Sequence, residues 1–294
     1  MTLTQLEVFA LIAEYKSFTT TANRLGISQS AVSHALKSLE KHWSVSLISR
    51  SQGDIELTET GKKLLVHVKE LLSISNTLQQ EISAVHGLYE GTLRIGSFGA
   101  SSSIVLLPLI LDAFQKKYPK IDVYIDEGDD NEIPQWILER KIDVGFIIAP
   151  DERFDIFPLL EDIFIALVPS SYPIAEKKSI PIQDLADYPF LMTTAGSQKY
   201  VKQLLNRFGV KPTIKCHFSQ MLTIISMVEK QNGISIVADM ALNHELLTLY
   251  PHVVKRPLEP NTTRKIGLAV KNKKHLSPAA KAFIEVAQSV LSKA

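Results

Sequence analysis

One face of a short predicted helix carries the side chains best suited to chemistry in this sequence. They are Gln29, Ser30, Ser33, His34 and Lys37. Amide, hydroxyl, imidazole and ammonium groups of this kind can hydrogen-bond base edges and phosphate oxygens in the major groove of DNA. The opposite face carries Val32, Leu36 and Leu39 at spacings of four and three, which is one apolar stripe. The pattern therefore predicts an amphipathic helix that packs on one side and reads DNA with the other.

A helix-turn-helix has to position this polar face. Gly26 can adopt the left-handed conformation that ends a first helix, over residues 17–25. Ser28 can then cap the first amides of the second helix. The predicted DNA contacts also include Thr20, Ser28 and, on a following segment, Arg50. An ordinary helical hairpin with a solvated polar face is the alternative for the isolated pair of helices.

The flanking segments favour DNA binding over that alternative. An amphipathic helix precedes the pair, and Thr4 and Glu7 stand at the spacing of a capping box. After the pair, residues 45–50 and 55–58 form two strand-like runs around a turn that contains Gly53. Such a hairpin is typical of the wing in a winged helix-turn-helix, and Arg50 is placed to reach a phosphate.

Length and composition limit the class of protein. The chain has 294 residues, of which 45% are hydrophobic, enough for two or three domains with a core each. No apolar run approaches the roughly 20 residues that span a bilayer, and the first residues lack the pattern of a signal peptide. We therefore expect a soluble cytoplasmic protein without a membrane partner. Because the formal net charge is only +1, DNA affinity has to come from the placement of charges and from dimerisation.

A long helix is predicted from a cap at Thr58 to about Val85. Its apolar stripe follows spacings of four and three and is interrupted once, by Ser75. The stripe comprises Leu64, Val68, Leu71, Leu78, Ile82 and Val85. A small neighbouring domain cannot cover so long a stripe, so we expect the same helix of a second subunit to cover it. A core helix packed within its own chain is the alternative.

The remaining residues alternate between strand and helix patterns. Strands are predicted near residues 93–96, 120–127 and 143–148, with Ile121, Val123 and Ile125 inward, and helices over 104–118 and 133–140 between them. This order predicts a parallel sheet. The pattern repeats after a crossover at 164–168 and returns at 266–270. We therefore predict lobe I, about residues 90–163 and 266–294, and lobe II, about 164–265, with a ligand cleft between them.

Taken together, the chain resembles the LysR-type transcriptional regulators over nearly its full length. The resemblance is most specific in Ser17-Phe18-Thr19, Ser28-Gln29-Ser30-Ala31-Val32-Ser33 and Leu57-Thr58-Glu59-Thr60-Gly61. It implies a mixed α/β protein with a winged helix-turn-helix at 1–63, a dimerisation helix at 58–89 and a two-lobed effector domain, similar to periplasmic binding proteins, at 90–294. It also implies a homodimer or homotetramer on promoter DNA, a small-molecule effector and contact with RNA polymerase. Ser30 and His34 depart from the usual Pro and Arg, and the wing has less Arg than is usual.

Three turns are predicted to form the effector site. Residues 97–103 form a serine-rich turn before a helix, where free amides and hydroxyls suit an anion, with Ser101 and Ser102 as the expected contacts. Asp129 and Asp130 would repel a plain acid and attract an amine. Thr194 and Ser197 would come from lobe II. These residues predict a small zwitterionic ligand; the alternatives are that the serines merely cap a helix and that the aspartates form a solvated capping cluster.

Other classes of function fit the sequence less well. The histidines are scattered without metal-ligand spacing, so we expect neither an enzyme nor a metal or cofactor site. Cys216 is the single cysteine, which excludes an internal disulfide and favours a structural thiol over a redox sensor. A redox- or metabolite-sensing regulator without a high-affinity ligand remains the alternative. A solute-binding protein would explain the lobes but not the winged helix.

Overall fold

The computed structural model describes residues 1–51, 54–87, 89–99, 101–194, 197–242 and 244–292, apart from the side chains of Arg50, Ser51 and His244. The chain forms two compact units, Met1–His86 and Gly87–Ala294. None of the described helices is long and apolar enough to cross a membrane.

The first unit is mainly helical and carries a small hairpin. Its elements are α1 (Leu3–Tyr15), α2 (Phe18–Leu25), α3 (Gln29–Trp43), β1 (Ile48–Ser51), β2 (Asp54–Leu57) and α4 (Glu59–Val85). Phe9 and Ile12 of α1 pack with Val32 and Leu39 of α3 in one core, and all four are fully buried. The apolar stripe predicted on α3 therefore fixes this helix against α1.

Local signals place the ends of these helices. Gly26 ends α2 in the left-handed region at φ 65°, and the Ser28 hydroxyl accepts the Ala31 amide at 3.2 Å, as the sequence predicts. The capping box expected at Thr4 and Glu7 is wrong. Helix α1 begins two residues earlier, so Thr2 is its cap: Thr2 Oγ1 accepts the Gln5 amide at 3.3 Å, and Gln5 Oε1 accepts the Thr2 amide at 2.9 Å.

The predicted wing is present as an antiparallel pair of strands. Residues of β1 and β2 pair from Ile48 opposite Leu57 to Ser51 opposite Asp54. The turn at Gln52 and Gly53 lies outside the described residues, as does the Arg50 side chain on which the phosphate prediction depends. Thr58 caps α4, as predicted, by accepting the Gly61 amide at 2.8 Å.

The second unit alternates strands and helices. Its first half contains β3 (Gly91–Phe98), a π-helical turn (Ser101–Leu106), α5 (Leu107–Lys117), β4 (Ile121–Gly128), α6 (Glu132–Leu138), β5 (Val144–Ala149) and β6 (Asp155–Pro169). Its second half contains β7 (Ile180–Pro181), β8 (Phe190–Thr193), α7 (Gln198–Arg207), β9 (Ile214–Phe218), α8 (Met221–Glu229), β10 (Ser235–Ala238), α9 (His244–Thr248), β11 (Val253–Glu259), β12 (Thr263–Val270) and α10 (Pro278–Leu291).

Two long strands connect the two lobes of this unit. Strand β3 pairs in parallel with β4 and β5, as predicted for lobe I, and β12 pairs antiparallel with β5. The first half of β6 pairs with β12, and its second half pairs with β10 and β11 of lobe II. Strands β6 and β12 therefore run from one lobe to the other, and side chains along them can contact both lobes.

Each lobe has its own apolar core. Phe114, Phe146 and Phe283 lie in the core of lobe I, while Phe190 and Ile236 lie in that of lobe II. Two expectations for lobe I are corrected. Ile125 is 42% exposed because β4 is the edge strand of the sheet, so its side chains have a neighbouring strand on one side only and fewer packing partners. The helix expected from residue 104 begins at 101 as a π-helical turn and becomes α-helical only at 107.

Candidate functional site

The polar face of α3 is accessible in the first unit. Gln29, Ser30, His34 and Lys37 are exposed, and Ser33 is half-buried. Because the other face of α3 is anchored in the core, these side chains project from a fixed helix. An exposed and rigid row of hydrogen-bonding groups is what base readout in a groove requires.

Hydroxyl groups next to this row are partly engaged within the chain. Ser28 and Ser30 share a hydrogen bond of 2.9 Å between their Oγ atoms. The exposed Thr20 donates through Oγ1 to Ser17 Oγ at 3.0 Å, and its amide donates to the same oxygen at 3.1 Å. Since a hydroxyl offers one donor and two acceptor sites, Thr20, Ser28 and Ser30 keep capacity for a further partner.

A cavity of about 840 Å³ lies between the lobes of the second unit. Its lining comes from the serine turn, the end of β4, the segment before α7, the start of α8 and strand β12. Lining residues that the argument uses are Ser101, Glu127, Asp129, Thr194, Ser197 and Arg264. Cavities of this size hold small organic ligands.

The two predicted serines of the first turn have different environments. Ser101 lines the cavity. Ser102 does not, and it is fully buried. Its Oγ accepts the Phe98 amide at 2.9 Å, donates to the Phe98 carbonyl oxygen and is bonded to Ser97 Oγ at 3.0 Å. Ser102 therefore holds the turn together, and a direct contact between its hydroxyl and a ligand would require breaking these bonds.

A buried ion pair that the sequence analysis missed lies at the cavity wall. Arg264 Nη2 is 2.7 Å from Asp162 Oδ2, both side chains are 3% exposed, and Nε donates to the same oxygen at 3.0 Å. Arg264 also donates from Nη2 to Ser101 Oγ at 2.7 Å and from Nη1 to Ser197 Oγ at 3.4 Å. One guanidinium thus contacts a lobe I hydroxyl and a lobe II hydroxyl at once.

Backbone amides complete the environment of this pair. Asp162 Oδ1 accepts the amides of Ile163 at 2.9 Å and Met240 at 3.1 Å. Both oxygens of the carboxylate are therefore satisfied, as burial of an ion pair demands. Asp162 and Arg264 face each other in the register of β6 and β12, 102 residues apart in sequence. In the sequence, the only indication of this pair was one acidic and one basic residue, Asp162 and Arg264, each next to an apolar run.

The two predicted aspartates lie in different places. Asp129 lines the cavity, and its Oδ1 accepts the amides of Asn131 at 2.7 Å and Glu132 at 2.8 Å. Glu132 Oε2 accepts the Asp129 amide at 2.9 Å in return. Asp129 therefore caps α6, as the alternative interpretation expected, and also presents negative charge to the cavity. Asp130 lies outside this lining and belongs to a second cavity, described below.

Lobe II contributes two of its predicted residues to the first cavity. Thr194 and Ser197 line it, whereas the intervening Ala195 and Gly196 lie outside the described residues. Glu127 is a further acidic lining residue that the sequence analysis did not single out. The charges facing this cavity are thus the acids Glu127 and Asp129, and Arg264 already neutralised by Asp162.

Two further observations on the described residues concern metal ligands and the thiol. No group of three or more potential metal ligands occurs among the described residues. Cys216 lies half-buried in β9 as a free thiol. A lone thiol of this kind does not by itself indicate redox sensing.

Comparisons with known proteins agree with this architecture. Residues 3–62 match the family model of bacterial regulatory helix-turn-helix proteins of the lysR family, and residues 86–292 match the LysR substrate binding domain. The chain is 34% identical over 291 residues, 99% of each chain, to the uncharacterized HTH-type transcriptional regulator YvbU of Bacillus subtilis. A full-length OxyR variant from Pseudomonas aeruginosa shares the fold with a TM-score of 0.80 at 24% identity, over 99% of this chain and 94% of that one. CbnR in complex with its target DNA shares the fold with a TM-score of 0.63 at 22% identity, over 99% of this chain and 100% of that one.

Proposed function

This chain belongs to the LysR family of bacterial regulators, and we propose that it reads promoter DNA through α3 under the control of a small polar effector in the first cavity. As a member of that family it is a DNA-binding transcriptional regulator with an effector-binding domain. We assign DNA binding to residues 1–63, dimerisation to residues 58–89 and effector binding to residues 90–294. Because it acts on DNA, we also propose that it works in the cytoplasm.

The exposed polar face of α3 carries the DNA-binding proposal. Gln29 can donate to and accept from one adenine edge, and Ser33 and His34 lie further along the same face. Lys37 and Arg50 are assigned to phosphates, which contribute affinity without reading sequence. Thr20, Ser28 and Ser30 flank this row and are assigned to backbone or base contacts at its beginning.

Selectivity is the property that tests this assignment. Fluorescence anisotropy would compare the full chain on DNA from upstream of its own coding region and on shuffled DNA. Replacing Gln29 or Ser33 by Ala should reduce selectivity by about 1–3 kcal/mol for a lost bidentate contact, and less for a single one. Gln115→Ala, at an exposed position of α5, is the matched control. Unchanged selectivity in both α3 variants would show that another surface reads the bases.

The exposed stripe of α4 carries the proposal of self-association. Leu71, Ile74, Leu78, Ile82 and Val85 are 46%, 50%, 54%, 48% and 84% exposed. Ile74 fills the interruption that the sequence suggested at Ser75, so the apolar row is continuous. We propose that the same row of a second subunit covers it, in a homodimer or in a homotetramer built from two such dimers.

Sedimentation tests whether this apolar row of α4 is the dimer interface. Leu78→Asp would place an unpaired charge in an apolar interface, at a cost of several kcal/mol, and should dissociate the dimer. Asn76→Asp adds the same charge at an exposed position on another side of α4 and should leave the oligomer unchanged. If Leu78→Asp remained an intact oligomer, the dimer interface would have to lie on another surface.

We further propose that the effector bears both charges. Ser101 and the adjoining edge of Arg264 can hydrogen-bond an acidic or hydroxyl end, and Asp129 with Glu127 attracts an ammonium group. Ser197 and Thr194 would hold the ligand from lobe II. Ligand binding would then change the position of one lobe relative to the other and, as a result, the contact of the regulator with RNA polymerase. Ser102 is left out of the proposed contacts because its hydroxyl is used inside the turn.

A matched set of ligands separates this proposal from its rival, an ordinary small acid. Thermal shifts would be measured with a series of α-amino acids, each beside its deaminated acid and its decarboxylated amine. The zwitterion should stabilise the protein most, and Asp129→Asn should remove that preference. Stronger stabilisation by the plain acid, with no loss in Asp129→Asn, would leave the serine turn as the element that reads charge.

A further inference from the structure

A second cavity, of about 560 Å³, lies between the lobes and shares no lining residue with the first. Lobe I contributes the loops that follow β4 and β5, and lobe II contributes the first turn of α7. The side chains that matter are Asp130, Asp151, Arg153, Lys199 and Tyr200. Its volume is within the range of small-molecule sites.

Two of the four charged residues that line this cavity form an ion pair with each other. Asp151 Oδ2 lies 2.6 Å from Arg153 Nη2, and Asp151 Oδ1 accepts from Arg153 Nε at 2.9 Å. This ion pair leaves Asp130 as the remaining acid. Among the residues that the structure describes, no cationic group lies within ion-pair distance of Asp130. Lys199, from lobe II, is exposed and also lines this cavity.

Asp130 is therefore a half-buried carboxylate that has no cation within ion-pair distance in the part of the chain that the structure describes. Burial raises the pKa of Asp130 above its usual value, and the neighbouring charge of Asp129 acts in the same direction. The Asp130 backbone, Lys199 and Arg264 oppose that shift without cancelling it. A positively charged ligand group at this position would offset the lost hydration.

Tyr200 lines the same cavity as Asp130 and is half-buried. Its ring contacts the apolar cores of both lobes, so its position is fixed where the lobes meet. Burial, followed by the charges of Asp130 and Asp151, raises the pKa of Tyr200 to about 12. The phenol is therefore neutral at physiological pH, and its oxygen can accept a hydrogen bond from an ammonium group.

We propose that this second cavity is a separate binding site for a small primary amine, whose ammonium group lies between Asp130 and the Tyr200 hydroxyl. Lys199, on the lobe II side, suits a carboxylate at the other end of the same ligand. A diamine would meet the Lys199 charge there, so the preferred ligand is an amine with an acidic end. The site goes beyond the effector cavity of the proposed function, because it uses a different acid and a different part of α7.

Calorimetry on the full chain tests this site with three probes: 4-aminobutyrate, butylamine and butyrate. We expect 4-aminobutyrate to bind most tightly, butylamine more weakly and butyrate not at all. Asp130→Asn should weaken 4-aminobutyrate about ten- to a hundredfold, as loss of a charge-assisted hydrogen bond implies. Tyr200→Phe should weaken it severalfold while keeping the ring packed between the lobes.

Asp122→Asn is the matched control, since it removes one carboxylate at an exposed position of β4 outside both cavities, and it should leave this binding unchanged. If Asp129→Asn weakens the amines and Asp130→Asn does not, the amines bind in the first cavity and the proposal is wrong. It is also wrong if the unmodified chain binds neither amine, or if butyrate binds as tightly as 4-aminobutyrate. The assay does not involve DNA, so its failure is distinguishable from a failure of DNA reading.

Discussion

The Arg264–Asp162 pair yields the sharpest prediction about the second unit. Replacing Asp162 by Asn keeps the size of the side chain but leaves the Arg264 guanidinium buried without a counter-charge. Both side chains are 3% exposed, so water cannot replace the lost partner. Removing one member of a buried pair costs about 3–5 kcal/mol, and we expect a loss of this size.

Urea unfolding of the full chain would measure that loss. The chain has two tryptophans, Trp43 in the first unit and Trp136 in the second, so Trp136 fluorescence in a Trp43→Phe background reports the second unit alone. At a slope of about 2 kcal/mol per M of urea, the midpoint should fall by roughly 1.5–2.5 M. Arg264→Met should produce a similar fall.

The double variant distinguishes an ion pair from two independent defects. Combining Asp162→Asn with Arg264→Met removes both charges, so the combined loss should be well below the sum of the single losses. Single losses of less than about 1 kcal/mol, or losses that simply add, would refute the argument that the two groups compensate each other in a buried site.

Three further predictions concern other residues. Gly61→Ala should cost about 1–3 kcal/mol in the first unit, because its Cβ would overlap the Leu47 carbonyl oxygen; thermal unfolding followed by Trp43 checks this. Ser28→Ala should cost about 1 kcal/mol, whereas Ser28→Gly should cost only a few tenths, and equal losses would contradict a capping role. Asp130→Asn should be more stable than the unmodified chain at neutral pH. Because the folded-state pKa of Asp130 is raised, this advantage should shrink as the pH falls through that pKa towards the ordinary 3.8, and thermal shifts across that window would show whether it does.

Local sequence signals predicted the first unit well because they act over a few residues. The Gly26 amide ends α2 by donating to carbonyl oxygens three and four positions earlier, whereas the Ser28 and Thr58 hydroxyls begin α3 and α4 by accepting amides three positions later. Each of these residues was identified correctly. The capping box at Thr4 was wrong because Thr2 and Gln5 show the same spacing two residues earlier, and the pattern alone does not say which turn comes first.

Contacts between residues far apart in the chain could not be predicted from the sequence. Asp162 and Arg264 meet only because β6 and β12 pair in one register over 102 residues of separation, which no local pattern specifies. Ile125 fits an inward alternation, but exposure of that strand depends on its position at the edge of the sheet. The adjacent Asp129 and Asp130 were expected in one cleft and line two cavities, since consecutive side chains point in different directions.

The most direct test of the account is the affinity of the full chain for DNA from upstream of its own coding region, compared with shuffled DNA of equal length at one salt concentration. We expect the upstream DNA to bind about 10³-fold more tightly or better, as specific regulators do, and the advantage to fall in Gln29→Ala. Equal affinity for both DNAs, with the same dependence on salt, would contradict sequence reading by α3.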